Sequence, residues 1–390
     1  MKSKKCKFLT FIKFTAVIFL AFIVSLSQPW PVLASVDPLQ TSASSGLLMD
    51  AETGRVLWEK EPNIKRSVAS TTKMMTGIVT IENASFDEII TISSLAADVG
   101  EAEIYLSPGE KRSVEDLLYG VLLKSGNDAA AALAEHVGGS VEDFVKMMNE
   151  KANKLGTKNT HFMNPTGLEQ DGHYSSAYDL ALIARYCLQN EKFAEIVSTE
   201  KHTIPWPDNP YPRVLTNHNK LVLEYDYIKG VKTGYTKKAG YCLVALATKD
   251  GKKVISVVLN APTSEDCYTD SKKILDYGLN EFEMRKIVRK GESVELIPLI
   301  VWKDRLNLVA DKDFYLLTKK EHPELIKIIS VKYPKLPVSK GQKIGEIQIF
   351  DEQQELGKVS LLADKNIFKS GFLEQFLDHI QSFFEILWKK

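Results

Sequence analysis

The sequence predicts an α+β fold: an antiparallel sheet covered by helices, followed by a small all-β domain and a C-terminal amphipathic helix. Strand-like runs lie at both ends of the first 285 residues, and helical patterns lie between them. Short, alternating, β-branched runs broken by glycine and proline come next. Residues 366–390 then show one apolar stripe at helical spacing.

The first domain is predicted over residues 35–285. Near its start, two apolar runs over 46–50 and 55–59 are joined by a turn, which indicates a hairpin. A nearly all-apolar helix follows over 72–81, and Lys249-Asp250-Gly251-Lys252 indicates a second hairpin between two later strands. Further helices are predicted over 113–124, 128–136, 141–155, 178–188 and 271–282.

A small all-β domain is predicted over residues 286–365, because the composition changes near Met284. After it, residues 366–390 place large apolar side chains on one helical stripe and polar ones on the other face. This pattern predicts an amphipathic helix lying in a membrane interface; a helix packed on its own domain is the alternative. The stripe consists of Phe372, Leu373, Phe376, Leu377, Ile380, Phe383, Phe384 and Leu387.

Residues 1–34 have the pattern of a secretory signal peptide. A lysine-rich start precedes an apolar run from Phe14 to Leu26, and Val32-Leu33-Ala34 offers a small-residue cleavage site. The apolar run is short for a membrane span, and an uncleaved membrane anchor is the alternative. The mature chain is therefore expected to be exported.

Charge and cysteine content bear on several classes of function. Lys and Arg together number 50, as do Asp and Glu, so no excess positive charge points to a nucleic acid partner. Removal of Cys6 with the leader would leave Cys187, Cys242 and Cys267, an odd number that rules out a complete disulfide framework. No CxxC or His-rich spacing suggests a metal site. We expect buried free thiols, no metal and no cofactor.

The most informative stretch runs from Val68 to Met75 and contains Ser70 and Lys73. Three-residue spacing on a helix brings both side chains to one face. A serine hydroxyl becomes an effective nucleophile when a base removes its proton. A lysine amine can be that base if burial or nearby positive charge lowers its pKa. The pair therefore predicts an activated serine.

The same spacing occurs again at Ser198 and Lys201, so spacing alone is weak evidence. The second pair lies in a charged segment with no apolar helix behind its serine, and we attribute it to chance. Two more motifs support the first pair. Ser125-Gly126-Asn127 lies between two predicted helices, and Lys232-Thr233-Gly234 lies on a predicted strand. Each is common alone, whereas the three in this order and setting are specific.

Together the three motifs resemble those of penicillin-binding proteins and serine β-lactamases. Their surroundings are more specifically similar to the serine-type D-alanyl-D-alanine carboxypeptidases, the low-molecular-mass, penicillin-binding protein 5-like group. The likeness covers residues 45–285 closely, with Tyr178-Asp179-Leu180 as a departure from the family's usual pattern. It is carried by residues 68–76, 124–130, 162–168 and 231–236.

The resemblance implies a β-lactamase/transpeptidase-like domain that removes the terminal D-alanine from peptidoglycan pentapeptide stems and is inhibited by β-lactams. Ser70 would attack the penultimate D-alanine carbonyl, and Lys73 would take its proton. Ser125 would relay that proton to the leaving group, and Asn127 would hold the substrate amide or Lys73. In the family's layout, the terminal helix holds the enzyme on the outer face of the cytoplasmic membrane.

The implied substrate-binding residues lie on the predicted strand. Lys232 and Thr233 would bind the terminal carboxylate of the substrate. Gly234 and Tyr235 complete the segment, and the backbone N–H groups of Ser70 and Tyr235 would form the oxyanion hole.

Two other functions fit parts of the sequence. A β-lactamase would need efficient deacylation, which class A enzymes achieve with a loop glutamate. Glu169 lies in a suitable loop but without the surrounding pattern, so a solvated loop acid is the simpler interpretation. A non-catalytic wall-binding protein on the same fold is the second alternative, although every catalytic position is intact.

Overall fold

The computed structural model describes residues 39–207, 209–298, 305–319, 325–351 and 354–368. The helices are α1 (Lys73–Asn83), α2 (Ser94–Ala97), α3 (Val114–Leu123), α4 (Asn127–Gly138), α5 (Val141–Lys154), α6 (Ala177–Cys187), α7 (Glu191–Ser198), α8 (Lys220–Glu224) and α9 (Ser264–Glu281). The strands are β1 (Ser45–Asp50), β2 (Val56–Lys60), β3 (Ile89–Thr91), β4 (Lys111–Ser113), β5 (Lys201–Ile204), β6 (Arg213–Thr216), β7 (Ile228–Thr236), β8 (Gly240–Lys249), β9 (Lys252–Ala261), β10 (Phe282–Val288), β11 (Ser293–Pro298), β12 (Arg305–Ala310), β13 (Phe314–Lys319), β14 (Ile326–Val331), β15 (Lys343–Asp351) and β16 (Gln354–Ala363).

A five-stranded antiparallel sheet, in the order β2-β1-β9-β8-β7, forms the centre of the first domain. Both predicted hairpins are present. β8 and β9 are joined by Asp250 and Gly251, whose positive φ angles of 52° and 77° suit a two-residue turn of the type that matches strand twist. β7 is the last strand at one side of this sheet, so the predicted Lys232 strand lies at its edge.

The helix α1 is the centre of the helical layer and packs against α3, α4 and α6. Every residue from Lys73 to Thr80 is buried, as expected for a helix that is apolar on nearly all faces. It begins one residue after the predicted start at residue 72, and the serine three residues before Lys73 is not part of it. Ser70 lies in a separate one-turn 3-10 helix, Ala69–Thr72, and the α-helix begins at Lys73.

Another helix is longer than its apolar pattern predicts. α9 begins at Ser264, seven residues before the predicted start at residue 271. The reason is a capping interaction: the Asp266 N–H donates to the Thr263 hydroxyl at 3.0 Å. The first turn is polar, and the apolar periodicity therefore misses it.

The C-terminal part is an all-β domain, as predicted. Its five-stranded sheet has the order β11-β12-β16-β15-β14, and β10 pairs with β13 in a separate ribbon. The predicted boundary at residues 285 and 286 falls inside β10, so the change of architecture comes at Phe282. At the other end, Ile367 is buried and pairs with Val338, which keeps this part of the predicted 366–390 segment in the all-β domain.

The predicted signal peptide over residues 1–34 and the stripe of the predicted terminal helix, from Phe372 onward, lie outside the described residues. Within the described ranges, no helix combines the length and apolar character that crossing a membrane requires.

Candidate active site

Ser70 and Lys73 are brought together by the 3-10 turn. Side chains at positions i and i+3 of a 3-10 helix eclipse each other, and Ser70 Oγ lies 3.0 Å from Lys73 Nζ. The Lys73 amine donates to Asn127 Oδ1 and to the Thr166 carbonyl, each at 2.6 Å. A neutral amine has two N–H groups, which these two oxygens occupy. Its lone pair then remains for the Ser70 hydroxyl.

The surroundings of Lys73 favour that neutral form. The side chain is completely buried, and this burial lowers its pKa well below the ordinary value. The positive charge of Lys232 lowers the Lys73 pKa further, while the Asp128 carboxylate opposes both effects. The net effect is a lowered pKa, which favours the neutral amine that can accept a proton.

The β7 strand supplies the second lysine. Lys232 is buried, its Nζ donates to the Thr233 carbonyl at 2.9 Å, and burial lowers its pKa to about 7. A carboxylate bound nearby would raise this pKa again and keep the Lys232 amine charged. Thr233 and Tyr235 line the same cleft as Ser70.

Gly234 allows β7 to pass close to the nucleophile. A Cβ at this position would lie 3.0 Å from the Ser70 nitrogen and 3.1 Å from the Ala69 Cβ. Any side chain would therefore push the strand away from the 3-10 turn. The absence of a side chain sets the width of the site between Ser70 and Tyr235.

The Ser125-Gly126-Asn127 segment joins α3 to α4, as predicted, and aims two polar side chains at the site. Ser125 has a left-handed backbone with φ of 65° and lines the cleft beside Ser70. Asn127 receives the Lys73 hydrogen bond and donates its own amide to the Gly100 carbonyl at 2.8 Å. The left-handed backbone of Ser125 is costly for a non-glycine residue, and such conformations are typical of functional sites.

The loop from Asn164 to Gly167 completes the surroundings of Lys73. The Thr166 carbonyl accepts from Lys73, and the Pro165 carbonyl accepts from the Thr76 hydroxyl at 2.6 Å. Gly167, with φ of 81°, passes so close to the Ala69 carbonyl that a Cβ would overlap it at 2.0 Å. In the sequence, only the family resemblance indicated that this loop matters. The structure shows its physical role, which is to supply an acceptor for Lys73.

These elements surround a cleft of about 800 Å³ that holds Ser70, Ser125, Asn127, Thr233 and Tyr235. This is the size of a small-molecule or short-peptide site. Lys73 and Lys232 lie behind its wall, buried beneath the lining residues.

The cleft also contains a residue that sequence reasoning missed, His218. Burial, and then the positive charge of Lys232, lower its pKa to about 4, so the imidazole is neutral at pH 7. The Tyr268 hydroxyl donates to the His218 carbonyl at 2.9 Å and fixes the backbone there. A single histidine carries no local pattern, and only the tertiary fold brings it to the site.

Glu169 lies at the end of the cleft and is held in place. Its carboxylate accepts the Lys238 N–H at 2.8 Å, and a hydrogen bond from the Thr236 side chain lowers its pKa. The carboxylate thus joins the 164–169 loop to the turn between β7 and β8. Glu169 is exposed, which agrees with its interpretation as a solvated loop acid, and its hydrogen bonds hold the carboxylate in place.

The second serine–lysine pair is not assembled. Ser198 is the last residue of α7 and donates to the Glu195 carbonyl at 3.0 Å, whereas Lys201 is the first residue of β5 and is exposed. The backbone becomes extended at Thr199, between the two residues, so they do not share a helical turn. This agrees with the prediction that the second match arose by chance.

The cysteines are free and buried in the described part of the chain. Cys242 and Cys267 both line the cleft. Burial raises the pKa of Cys242 to about 11 and raises that of Cys267 still further, so both thiols stay protonated. Across the described ranges, no group of three or more His, Cys, Asp or Glu side chains is placed to hold a metal ion.

Comparison with known proteins agrees with this site. The family model described as D-alanyl-D-alanine carboxypeptidase matches residues 32–263, and the model described as penicillin-binding protein 5, C-terminal domain, matches residues 282–369. The carboxypeptidase DacF of Bacillus subtilis (strain 168) is 35% identical over 345 residues, with 86% of this chain and 88% of the relative covered. DacA of Escherichia coli (strain K12) is 33% identical over 363 residues, covering 88% of each chain.

A solved structure leads to the same assignment. Penicillin binding protein 5 from Haemophilus influenzae superposes with a TM-score of 0.71 at 30% identity, covering 86% of this chain and 100% of that one. The first domain thus has the transpeptidase-like mixture of helices and sheet, and the second is the all-β domain that accompanies it. The chain belongs to the D-alanyl-D-alanine carboxypeptidase family and is a serine-type peptidase.

Proposed function

We propose that this enzyme removes the terminal D-alanine from peptidoglycan pentapeptide stems through an acyl-enzyme on Ser70. One observation supports this most strongly: the Lys73 amine lies 3.0 Å from the Ser70 hydroxyl, and its two N–H groups have two other acceptors. This is the arrangement of a nucleophile with its general base.

Acylation begins when Ser70 Oγ bonds to the carbonyl carbon of the penultimate D-alanine and its proton passes to Lys73. The negative charge on the carbonyl oxygen is stabilised by the backbone N–H groups of Ser70 and Tyr235. The close passage of β7 at Gly234 supports this pairing of donors. The C–N bond then breaks, and Ser125 relays the proton from Lys73 to the departing amine of D-alanine.

Deacylation uses the same groups in reverse. Lys73, neutral again after passing on its proton, takes one from water, and the water oxygen bonds to the acyl carbon. The ester bond to Ser70 breaks, the serine recovers its proton, and the stem leaves one D-alanine shorter. Asn127 keeps Lys73 in place through both steps, since its amide is itself anchored to Gly100.

Recognition of the substrate requires a free carboxylate at its end. Lys232 supplies the positive field beneath the cleft, and the Thr233 hydroxyl is the hydrogen-bond donor at its surface. Binding of the carboxylate would raise the pKa of Lys232 above its value of about 7 and keep the amine charged.

A β-lactam presents the same acyl group and carboxylate and would leave Ser70 acylated. Rapid release, as in a class A β-lactamase, would need a carboxylate that activates water. Glu169 instead receives hydrogen bonds from the β7–β8 turn. We therefore expect slow release, so that penicillins inhibit the enzyme.

The proposal includes a location, export with peripheral attachment to the membrane, that rests on two sequence patterns. The signal-peptide pattern over residues 1–34 supports export, and the apolar stripe of residues 372–387 supports peripheral attachment to the outer face of the cytoplasmic membrane. The peptidoglycan substrate is found on that side.

The test is release of D-alanine from a synthetic pentapeptide stem, measured together with the turnover of a labelled penicillin. The proposal expects steady release of D-alanine and a long-lived penicillin adduct. Rapid penicillin hydrolysis would favour the β-lactamase alternative. A folded enzyme that released no D-alanine and bound no penicillin would favour the non-catalytic wall-binding alternative.

A further inference from the structure

An aromatic surface lies next to the cleft and has no part in the chemistry above. Tyr105 and Trp206 come from loops about one hundred residues apart, yet their rings are parallel to within 11° with centroids 6.5 Å apart. Tyr105 is 64% exposed, and Trp206 is partly exposed. We call these two rings the aromatic platform. The exposed Tyr105 ring, stacked with the Trp206 ring, presents an aromatic face to solvent.

The platform is held by buried charges beneath it. The Arg213 guanidinium lies 4.9 Å from the Trp206 ring centroid, on the face of the ring. Arg213 also donates to the Tyr105 carbonyl at 2.8 Å, and therefore connects both halves of the platform. Arg112 donates to the Pro205 carbonyl at 2.6 Å and fixes the residue before Trp206.

The backbone of Tyr105 is strained. Its φ is 61°, a left-handed conformation that is unusual for an aromatic residue. The residues on both sides are fixed, because the Ile104 and Leu106 N–H groups donate to the buried Asp128 carboxylate at 3.0 to 3.1 Å. Strain that persists because its surroundings impose it is typical of residues with a function.

The charged groups under the platform, two guanidinium groups and one carboxylate, are all buried. Glu110 is buried and binds Arg112 at 2.6 Å and Arg213 at 2.8 Å. Both guanidinium groups also donate to backbone carbonyls. Because both arginines are buried, a ligand on the surface would not reach them, and the exposed part of this region is aromatic. This favours an uncharged partner with an apolar face.

The loop that carries the platform also forms the wall of the cleft. Glu101 and Ala102 line the cleft, three or four residues before Tyr105. The Ala102 carbonyl accepts the Asn127 N–H at 2.6 Å, and Asp128 anchors the far end of the loop. A molecule bound at Ser70 and extending past Ala102 would thus meet the platform next.

We propose that the aromatic platform binds the sugar rings of the glycan strand to which the peptide stem is attached. Pyranose rings have faces of C–H groups that stack on aromatic rings, and they carry no charge that would need the buried arginines. The proposal rests on the proposed function, because it identifies the substrate as polymeric peptidoglycan and not a free peptide.

The experiment compares two substrates in Tyr105→Ala and Trp206→Ala. One is a synthetic pentapeptide stem without sugar, and the other is isolated peptidoglycan strands that carry the same stem. We expect kcat/KM on the strands to fall about tenfold or more, and kcat/KM on the free stem to change less than about twofold. Trp206→Phe keeps an aromatic face and should retain most of the activity on strands. Tyr333→Ala, an exposed aromatic residue of the all-β domain, is the matched control.

A binding measurement separates this proposal from the proposed function. Each platform substitution is combined with Ser70→Ala, and binding to glycan strands stripped of peptide is measured by sedimentation. Loss of binding with Trp206→Ala supports the platform even if the enzyme released no D-alanine. Equal losses of kcat/KM on both substrates, or unchanged strand binding, would overturn it. Binding by the platform to anionic lipid vesicles in place of glycan strands would also overturn it.

Discussion

Ser70 and Ser198 each stand three residues before a lysine, and the two pairs lie in different surroundings. Ser70 lies in a 3-10 turn that leads directly into the buried helix beginning at Lys73, and their side chains are 3.0 Å apart. Ser198 ends a helix, while Lys201 begins an exposed strand. The Ser198 hydroxyl donates to a carbonyl of its own helix.

The comparison shows that burial and hydrogen-bond partners, more than spacing, make a lysine into a base. Burial and the charge of Lys232 lower the Lys73 pKa well below its ordinary value. Asn127 and the Thr166 carbonyl then occupy the two N–H groups of the neutral amine. The predictions below test whether this difference in surroundings controls activity.

The largest effect is expected from the serines. Ser70→Ala removes the nucleophile and should lower kcat for D-alanine release by at least about a thousandfold. Ser198→Ala removes one local hydrogen bond and should leave kcat unchanged within twofold. Substantial activity in Ser70→Ala, or its loss in Ser198→Ala, would contradict the comparison.

The next effect is expected from the lysines. Lys73→Met keeps most of the buried volume but removes the base, and the rate of acylation by penicillin should fall by about 10² to 10⁴. Lys201→Met is the matched control and should acylate normally. Stopped-flow measurement with a chromogenic β-lactam gives both rates. Equal rates in the two variants would show that Lys73 is not the base.

A smaller effect is expected at Gly234. In Gly234→Ala the added Cβ would lie 3.0 Å from the Ser70 nitrogen, so β7 must move a few tenths of an ångström. We expect kcat to fall about tenfold to a hundredfold, because the displaced strand carries one oxyanion donor. The melting temperature should change little, since β7 keeps its pairing with β8. Unchanged kcat would mean that the donors lie elsewhere.

The smallest effect is expected in the pH dependence of kcat/KM. Activity should rise with pH as Lys73 loses its proton, and should fall near pH 7 as Lys232 loses the charge that binds the carboxylate. Lys232→Arg keeps its charge at high pH and should move the descending limb above pH 9. A descending limb that stays near pH 7 in this variant would remove Lys232 from the explanation.

The two buried lysines also affect stability, with a definite sign. Their pKa values are lower in the folded chain than the ordinary 10.5, so the unfolded chain binds more protons. Lys232 should therefore raise the free energy of unfolding, and so stabilise the folded chain, as pH rises from about 7 towards 10.5.

Local signals predicted much of the fold. The hairpin at residues 249–252 was predictable because its turn residues specify their own conformation, and α1 because its apolar pattern is continuous. The start of α9 was missed because apolar periodicity does not register a polar first turn. A search for the Thr263 and Asp266 capping pair would have found it.

The residues of the site and its surroundings also differ in whether a local sequence signal marks them. Ser70, Lys73 and Asn127 lie in motifs, and the structure brings them within hydrogen-bond distance. His218 and Trp206 lie in loops whose positions depend on contacts with distant segments. Such contacts leave no periodic or spacing signal in the sequence, so sequence reasoning could not identify them.

The most direct measurement is mass spectrometry of peptides from the enzyme after reaction with a penicillin. The account predicts one adduct, on the peptide that contains Ser70, and an unmodified peptide containing Ser198. It also predicts no adduct in Ser70→Ala. An adduct on any residue other than Ser70, in an enzyme that releases D-alanine, would contradict the central claim that the buried Lys73 activates Ser70.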